Sequence, residues 1–274
     1  MKAISYSLFG FDAERQKDCF DFNSYLRGLT LNIRMARLLY PDWNIVLHVD
    51  KNTNDGLKEL FDALPIEVVV CEDAPLTKAM LWRLKPLFNT KYTHVICRDL
   101  DSPLTYREAQ AVQIWLNNGT KAAHAITDSV SHCIPLLGGM IGFVSDWFTM
   151  YMGVNKWEDL FEGISYDWSR KGVDQDYLNA KVYPKLATHG SDSIMQHYIL
   201  GMPRTFLTCY YNYIEDIELP NVCVEMKESN DVCGHIGAAG WYETAMFKFL
   251  HKHWSKFGDI LEVEKKYNKI FYWA

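Results

Sequence analysis

Asp99 and Asp101 stand one residue apart in THVICRDLDSPLTYREAQAVQIWL (93–116), directly after the apolar run Val95-Ile96-Cys97. Two carboxylates at that spacing offer hard oxygen ligands, and Mn2+ or Mg2+ are the ions they suit. A cation held there could bridge a diphosphate and offset the charge that develops on a leaving nucleotide. The same pair also occurs as two solvated acids at a strand end, so the motif alone leaves both readings open. Arg98 either orients these acids, meets phosphate, or forms a structural ion pair. Arg83, sixteen residues before Asp99, has the forked donor geometry that suits phosphate or sugar hydroxyls; otherwise it is a solvated helix arginine. In VDQDYLNAKVY (173–183), Asp174 and Gln175 open a helical segment. Asp174 is there either an N-cap or a carboxylate turned to a cleft. HAITDSVSHCIPLLGGM (124–140) sets His124, Asp128 and His132 at intervals of four, ahead of Gly138 and Gly139. Those glycines either let backbone approach a ligand closely or form a β-bulge. Zinc would need a second ligand cluster, which the sequence lacks. His189, Asp192 and His197 read either as exposed loop residues or as acceptor-side contacts.

These residues need a scaffold. Residues 3–9, 44–49, 66–71 and 93–97 read as strands. Helical patterns at 23–40, 55–63 and 77–88 separate them, with Pro86 weakening the last turn. Strand and helix in alternation predict an α/β sheet with parallel strands, whose ligands bind at the carboxyl ends. Asp99 and Asp101 follow such an end. Thr105-Tyr106-Arg107-Glu108 has the form of a capping box, and Asn118-Gly119 marks the end of the helix it starts. Further on, 136–145 reads as a strand with a bend, 157–160 and 174–183 as helices, and 204–240 as short strands and loops. Residues 241–253 and 254–271 read as terminal helices.

The chain has 274 residues, a formal net charge of −6 and 49% hydrophobic residues. That supports one large folded unit or two small ones. Aromatic content is 14%, and aromatic faces serve sugar-binding clefts as well as cores. Mild acidity without a basic run argues against a nucleic-acid role. No apolar stretch approaches the roughly 18 residues of a membrane span, and the first residues become charged too soon for a secretory signal. The seven cysteines are scattered, with no CxxC spacing, which excludes zinc-ribbon and thioredoxin readings. Reduced, buried thiols in a cytoplasmic protein are the expectation.

RDLDSPLTYREAQAVQIWL, followed by HAITDSVSHCIPLLGGMIGF, resembles GT-A glycosyltransferases of the surface-polysaccharide type. The opening SYSLFG, the segment YLRGLTLNIRMARLLYPDW and LWRL are similar to the same group, so the likeness runs from residue 3 to about 200. VDQDYLNAKVY resembles the D-Q-D-x-L-N segment of retaining, family 8-type transferases. HIGAAGW (235–241) resembles an H-x-x-G-x-K-P-W metal-ligand motif but lacks its Lys-Pro pair.

The resemblance implies a Rossmann-like mixed sheet flanked by helices, in a single GT-A domain with a C-terminal helical cap. Residues 1–120 would be the nucleotide-binding half, 121–240 the acceptor and sugar half, and 241–274 the terminal helices. It implies Asp99, Asp101 and His235 as ligands of Mn2+ or Mg2+. Leu8, Phe9, Gly10, Arg83, Arg98, Asp99, Gly138 and Gly139 would contact the donor, and His132 the acceptor. Asp174, Gln175 and Asp128 would do the catalytic work. The implied reaction moves a hexose from a nucleotide sugar, UDP-linked, to a glycan acceptor with retention. An inverting enzyme would instead need Asp128 or Asp174 as base. A haloacid-dehalogenase-like phosphohydrolase also uses strand-D-x-D, but Arg98 intervenes here and Pro103 stands where Thr or Val belongs. A non-catalytic glycan-binding protein is the third class.

Overall fold

The computed structural model describes residues 1–11, 22–127, 134–187, 193–198 and a strand at 215–218. The expected terminal helices beyond 241, and most of 204–240, lie outside the described residues.

The first half alternates as the sequence predicts. Strand β1 (Lys2–Leu8) leads to helix α1 (Phe22–Leu39), then β2 (Trp43–Asp50), α2 (Lys51–Asp62) and β3 (Glu67–Cys71). Helix α3 (Leu76–Met80) continues as a 3₁₀ helix (Leu81–Phe88) into β4 (His94–Arg98). These strands are parallel in the order β3-β2-β1-β4. The inner strands β1, β2 and β4 are largely apolar, with Ser5 and His48 buried among them, because both faces of the sheet are covered there. Ile4, Tyr6, Leu8, Leu47 and Val49 pack under α1 and α2 on one face. Ala3, Val46, Val95 and Cys97 pack under the 3₁₀ helix and later helices on the other.

After α4 (Tyr106–Asn118) the sheet turns mixed. Strands β5 (Ala123–Thr127), β6 (Met140–Val144), β7 (Ile194–Tyr198) and β8 (Glu215–Glu218) extend it as β4-β6-β5-β7-β8. Strand β6 runs antiparallel to both neighbours. Helix α5 (Ser145–Met152), a 3₁₀ turn (Trp157–Phe161), α6 (Val173–Tyr177) and α7 (Tyr183–Ala187) complete the described part. The result is a Rossmann-like mixed α/β sheet flanked by helices. Among the described residues no helix is long and apolar enough to cross a membrane. Cys71 and Cys97 are unpaired and buried, and burial pushes both thiols up to about 12.

Three local expectations change. Helix α2 starts at Lys51, not at 55, because the Asp50 carboxylate accepts from Thr53 N at 2.8 Å and caps it. The expected helix at 77–88 is α-helical only to Met80. Pro86 cannot donate an α-type bond, and the segment tightens to 3₁₀. The helix predicted for 174–183 runs on to Ala187 through a widened π turn, Leu178–Val182, just ahead of Pro184.

His48, His124 and His197 are each at most 2% exposed. Burial lowers all three, His48 to about 4, His197 to about 3 and His124 well below its ordinary value. The unfolded chain takes up these protons near pH 6.5 and the folded chain does not. Stability present above pH 6.5 is therefore lost as pH falls, by on the order of 1 kcal/mol per histidine per pH unit. The raised carboxyls Asp101 and Asp174 act in the opposite sense and trim this. Urea unfolding at pH 7.5 and 5.5 is expected to differ by about 2–4 kcal/mol; equal stability would mean that the histidines are not held neutral.

Candidate active site

The chain runs outward from β1 through β2 to β3, then crosses back to place β4 on the other side of β1. That reversal leaves a crevice beyond the carboxyl ends of β1 and β4, the place where α/β sheets bind ligands. Leu8, Phe9 and Gly10 follow one end and Asp99 the other. Gly10 has φ 85°, and its N–H donates to Asp50 Oδ2 at 2.8 Å. Asp50 thus shapes the turn after β1 as well as capping α2. The pocket here is lined by Ser7, Leu8, Phe9, Tyr25, Met80 and Asp99, among others.

Arg98 and Arg83 divide the work around the acids. Arg98, 1% exposed, forms an ion pair with the equally buried Glu108, Nε to Oε1 at 3.1 Å. Its other nitrogens donate to Ser102 Oγ at 3.2 Å, to the Pro103 carbonyl at 3.4 Å and to the Gly139 carbonyl. All of its named partners are protein groups, and they hold the loop that carries Asp99 and Asp101. The expected capping box is half made. Thr105 Oγ1 accepts from Glu108 N at 3.2 Å. The Glu108 carboxylate goes to Arg98 instead of closing the box.

Arg83 faces the acids. Its side chain is 4% exposed, donates through Nη1 to Asp99 Oδ1, and sets Nη2 3.5 Å from Asp174 Oδ2. It is not a solvated helix arginine. Burial alone would weaken the cation, but Asp99 and then Asp174 outweigh that and raise its pKa. The Asp174 carboxyl is raised by burial, against the pull of Arg83. Asp174 is not an N-cap, because Gly172, with φ 87°, holds that position of α6. Asp99 keeps 42% of its side chain exposed. Asp101 is half-buried, and its pKa is raised to about 6 by burial and then by the charge of Asp99.

The glycines answer to close approach. A Cβ at Gly139 would overlap the Asp99 carboxylate, and one at Gly138 would come within 2.7 Å of Arg83 Nη2. Neither glycine has a positive φ, so this contact, not backbone strain, demands them. Gln175 Oε1 accepts from Gly138 N at 3.2 Å, and its Nε2 donates to Asp174 Oδ2 at 3.3 Å. One turn later, Asn179 pairs with both backbone groups of Leu136 at 2.9 Å. Gln175 thus holds backbone and Asp174 together.

Sequence reasoning missed four residues of this site: Tyr25, Met80, Asp50 and Asn179. Asn179 had a signal, lying four residues after Gln175 and so on the same helix face. Tyr25 had none. It lines the same pocket as Asp99, and its phenol is raised by burial and then by the charges of Asp101 and Asp99.

Asp128, His132, His189, Asp192 and His235 lie outside the described residues. His124 is in β5, fully buried, with its ring stacked on Trp115 at 4.7 Å and set against His197 at 5.6 Å. His197 lies in β7, not in an exposed loop. Among the described residues no group of three or more His, Cys, Asp or Glu is placed to hold a metal ion. A larger cleft, of about 420 Å³, opens at the other end of the sheet beside Tyr40, Trp43 and Glu67. Glu67 is already paired there with Lys91 and Tyr92.

No protein-family model matches the chain, and no curated protein matches it. Among solved structures it is similar to a 4-diphosphocytidyl-2C-methyl-D-erythritol synthase from Anaerococcus prevotii. The identity is 8% and the TM-score 0.43, over 77% of this chain and 96% of that one. A likeness this remote carries no functional weight.

Arg83 and Asp174 are both buried, and removing Arg83 takes the paired cation from Asp174 and from Asp99. Arg83→Met is expected to cost about 3–5 kcal/mol of stability. The double variant R83M/D174N is expected to lose clearly less than the sum of the single variants R83M and D174N in denaturant unfolding. Additive losses would mean that the two groups do not interact.

Proposed function

We propose that the protein is a metal-dependent glycosyltransferase of GT-A type. It moves a hexose from a nucleotide sugar, UDP-linked, to a glycan acceptor with retention of configuration. One observation carries this reading. Arg83 joins Asp99 of the D-x-D segment to Asp174 of the D-Q-D segment, and does so at the crevice where the strand order reverses.

The residues fit a hard divalent cation in their donor chemistry. Asp99 and Asp101 each bring carboxylate oxygens, and the charge of Asp99 adds to burial in raising Asp101, so a cation between them would be favoured. Asp99 and Asp101 would hold Mn2+ or Mg2+, and the ion would supply charge neutralisation for the departing nucleoside diphosphate. His235, the third ligand implied by the resemblance, lies outside the described residues.

The other roles follow from position. Leu8, Phe9 and Gly10 shape the wall that receives the nucleotide. Arg83 adds fixed positive charge beside the phosphates. Asp174 faces the donor hexose, and Gln175 keeps both Asp174 and the Gly138 backbone in place. A general base must be free to take a proton. Asp174 is 3% exposed and held by Arg83, which speaks against it as the base of an inverting enzyme; Asp128, the other candidate base, lies outside the described residues. With retention the reaction would be a front-face displacement. The acceptor hydroxyl oxygen bonds to the anomeric carbon, the bond to the diphosphate breaks, and the hydroxyl proton passes to the leaving diphosphate oxygen.

The test is a panel of nucleotide sugars assayed for nucleotide release with Mn2+. One UDP-hexose is expected to be turned over. Chelation should abolish the activity, and Asp101→Ala should lower it by about 100-fold or more. An α-linked donor should give an α-linked product. No binding or turnover of any nucleotide sugar would sink the reading. Hydrolysis of simple phosphate esters in its place would favour a phosphohydrolase.

A further inference from the structure

Asn32 sits in the middle of α1, where an amide is a poor helix former, and it is fully buried. A buried amide is costly unless its hydrogen bonds are made. Those of Asn32 are made, and almost all of them go to one place. Its Nδ2 donates to the carbonyls of Leu100 at 3.1 Å and Ser102 at 3.2 Å, and to that of Gly28 at 3.0 Å. Its Oδ1 accepts from Leu104 N at 2.9 Å.

Leu100 and Ser102 are the two neighbours of Asp101. One side-chain amide therefore ties the carbonyls of both residues that flank Asp101, and so holds the stretch of backbone from which its carboxylate projects. Gly28, one turn earlier on the same face of α1, makes the approach possible. A Cβ there would overlap the Leu100 carbonyl oxygen. Arg98 grips the same loop independently, through Ser102 Oγ and the Pro103 carbonyl.

We infer that Asn32 and Gly28 are positioning residues that aim Asp101, so that α1 sets the affinity of the site for a metal–diphosphate group. The inference rests on the role proposed above for Asp101.

The experiment compares Asn32→Ala, Gly28→Ala and the milder Asn32→Ser with Leu60→Val, a core change in α2 that leaves the loop alone. Affinity for UDP with Mn2+ is measured by calorimetry well below each melting temperature. Amide exchange of the 99–104 segment is followed by mass spectrometry. Affinity is expected to fall at least 10-fold in the Asn32 and Gly28 variants and to stay within 2-fold in Leu60→Val. A merely structural tie would lower the melting temperature and leave the affinity unchanged. Folded Asn32 and Gly28 variants that bind as tightly as the unaltered protein would overturn the inference. If Asn32→Ala does not fold, Asn32→Ser decides. If the unaltered protein binds no nucleotide, the functional reading fails by itself and exchange decides the seat. Faster exchange confined to 99–104 in Gly28→Ala then upholds the seat, and unchanged exchange overturns it.

Discussion

A guanidinium that is 4% exposed must be answered by charge, and the arrangement around Arg83 follows from that requirement. Its answers come from two distant places in the chain, Asp99 after β4 and Asp174 in α6. For both to reach it, the segment before β6 must pass between them with no side chain in the way, which is why Gly138 and Gly139 are glycines. That segment must then be held where it passes. Gln175 and Asn179, one helical turn apart, hold it through Gly138 and Leu136. One buried cation thus ties a 3₁₀ helix, a strand end, a glycine pair and a helix into a single rigid wall.

Arg98, directly before Asp99, does the complementary task. It spreads its donors over backbone and Ser102, with Glu108 neutralising it. Asn32 reaches the same loop from α1. The acids therefore ride on a loop clamped from the sheet side and from the helix side. A preformed site of this kind loses little freedom when charge arrives, and that is what electrostatic stabilisation of a leaving group requires.

Much of the scaffold was legible in the sequence, because parallel strands buried on both faces leave largely apolar runs. Residues 44–49 and 93–97 match β2 and β4 closely for this reason. The acids were legible because they stand directly after such a run. Other features were not, since they depend on contacts between distant segments. Nothing local distinguishes Glu108 as a partner of Arg98 from Glu108 as the end of a capping box. Nothing local shows that Asn32 turns inward to a loop, or that Tyr25 lines a pocket with Asp99. The spacing of His124, Asp128 and His132 did not show that β5 buries His124 against Trp115, where its neighbours are set by the fold.

The central claim is that Asp99 and Asp101 form the seat of a metal-bound nucleoside diphosphate. Crystals grown with UDP and Mn2+, with diffraction recorded at the manganese edge, test it directly. The account predicts an anomalous peak within coordination distance of both carboxylates, with the diphosphate beside Arg83 and the nucleoside in the pocket of Leu8, Phe9 and Tyr25. Manganese bound away from both acids, or UDP in the cleft beside Trp43 at the opposite end of the sheet, would contradict it.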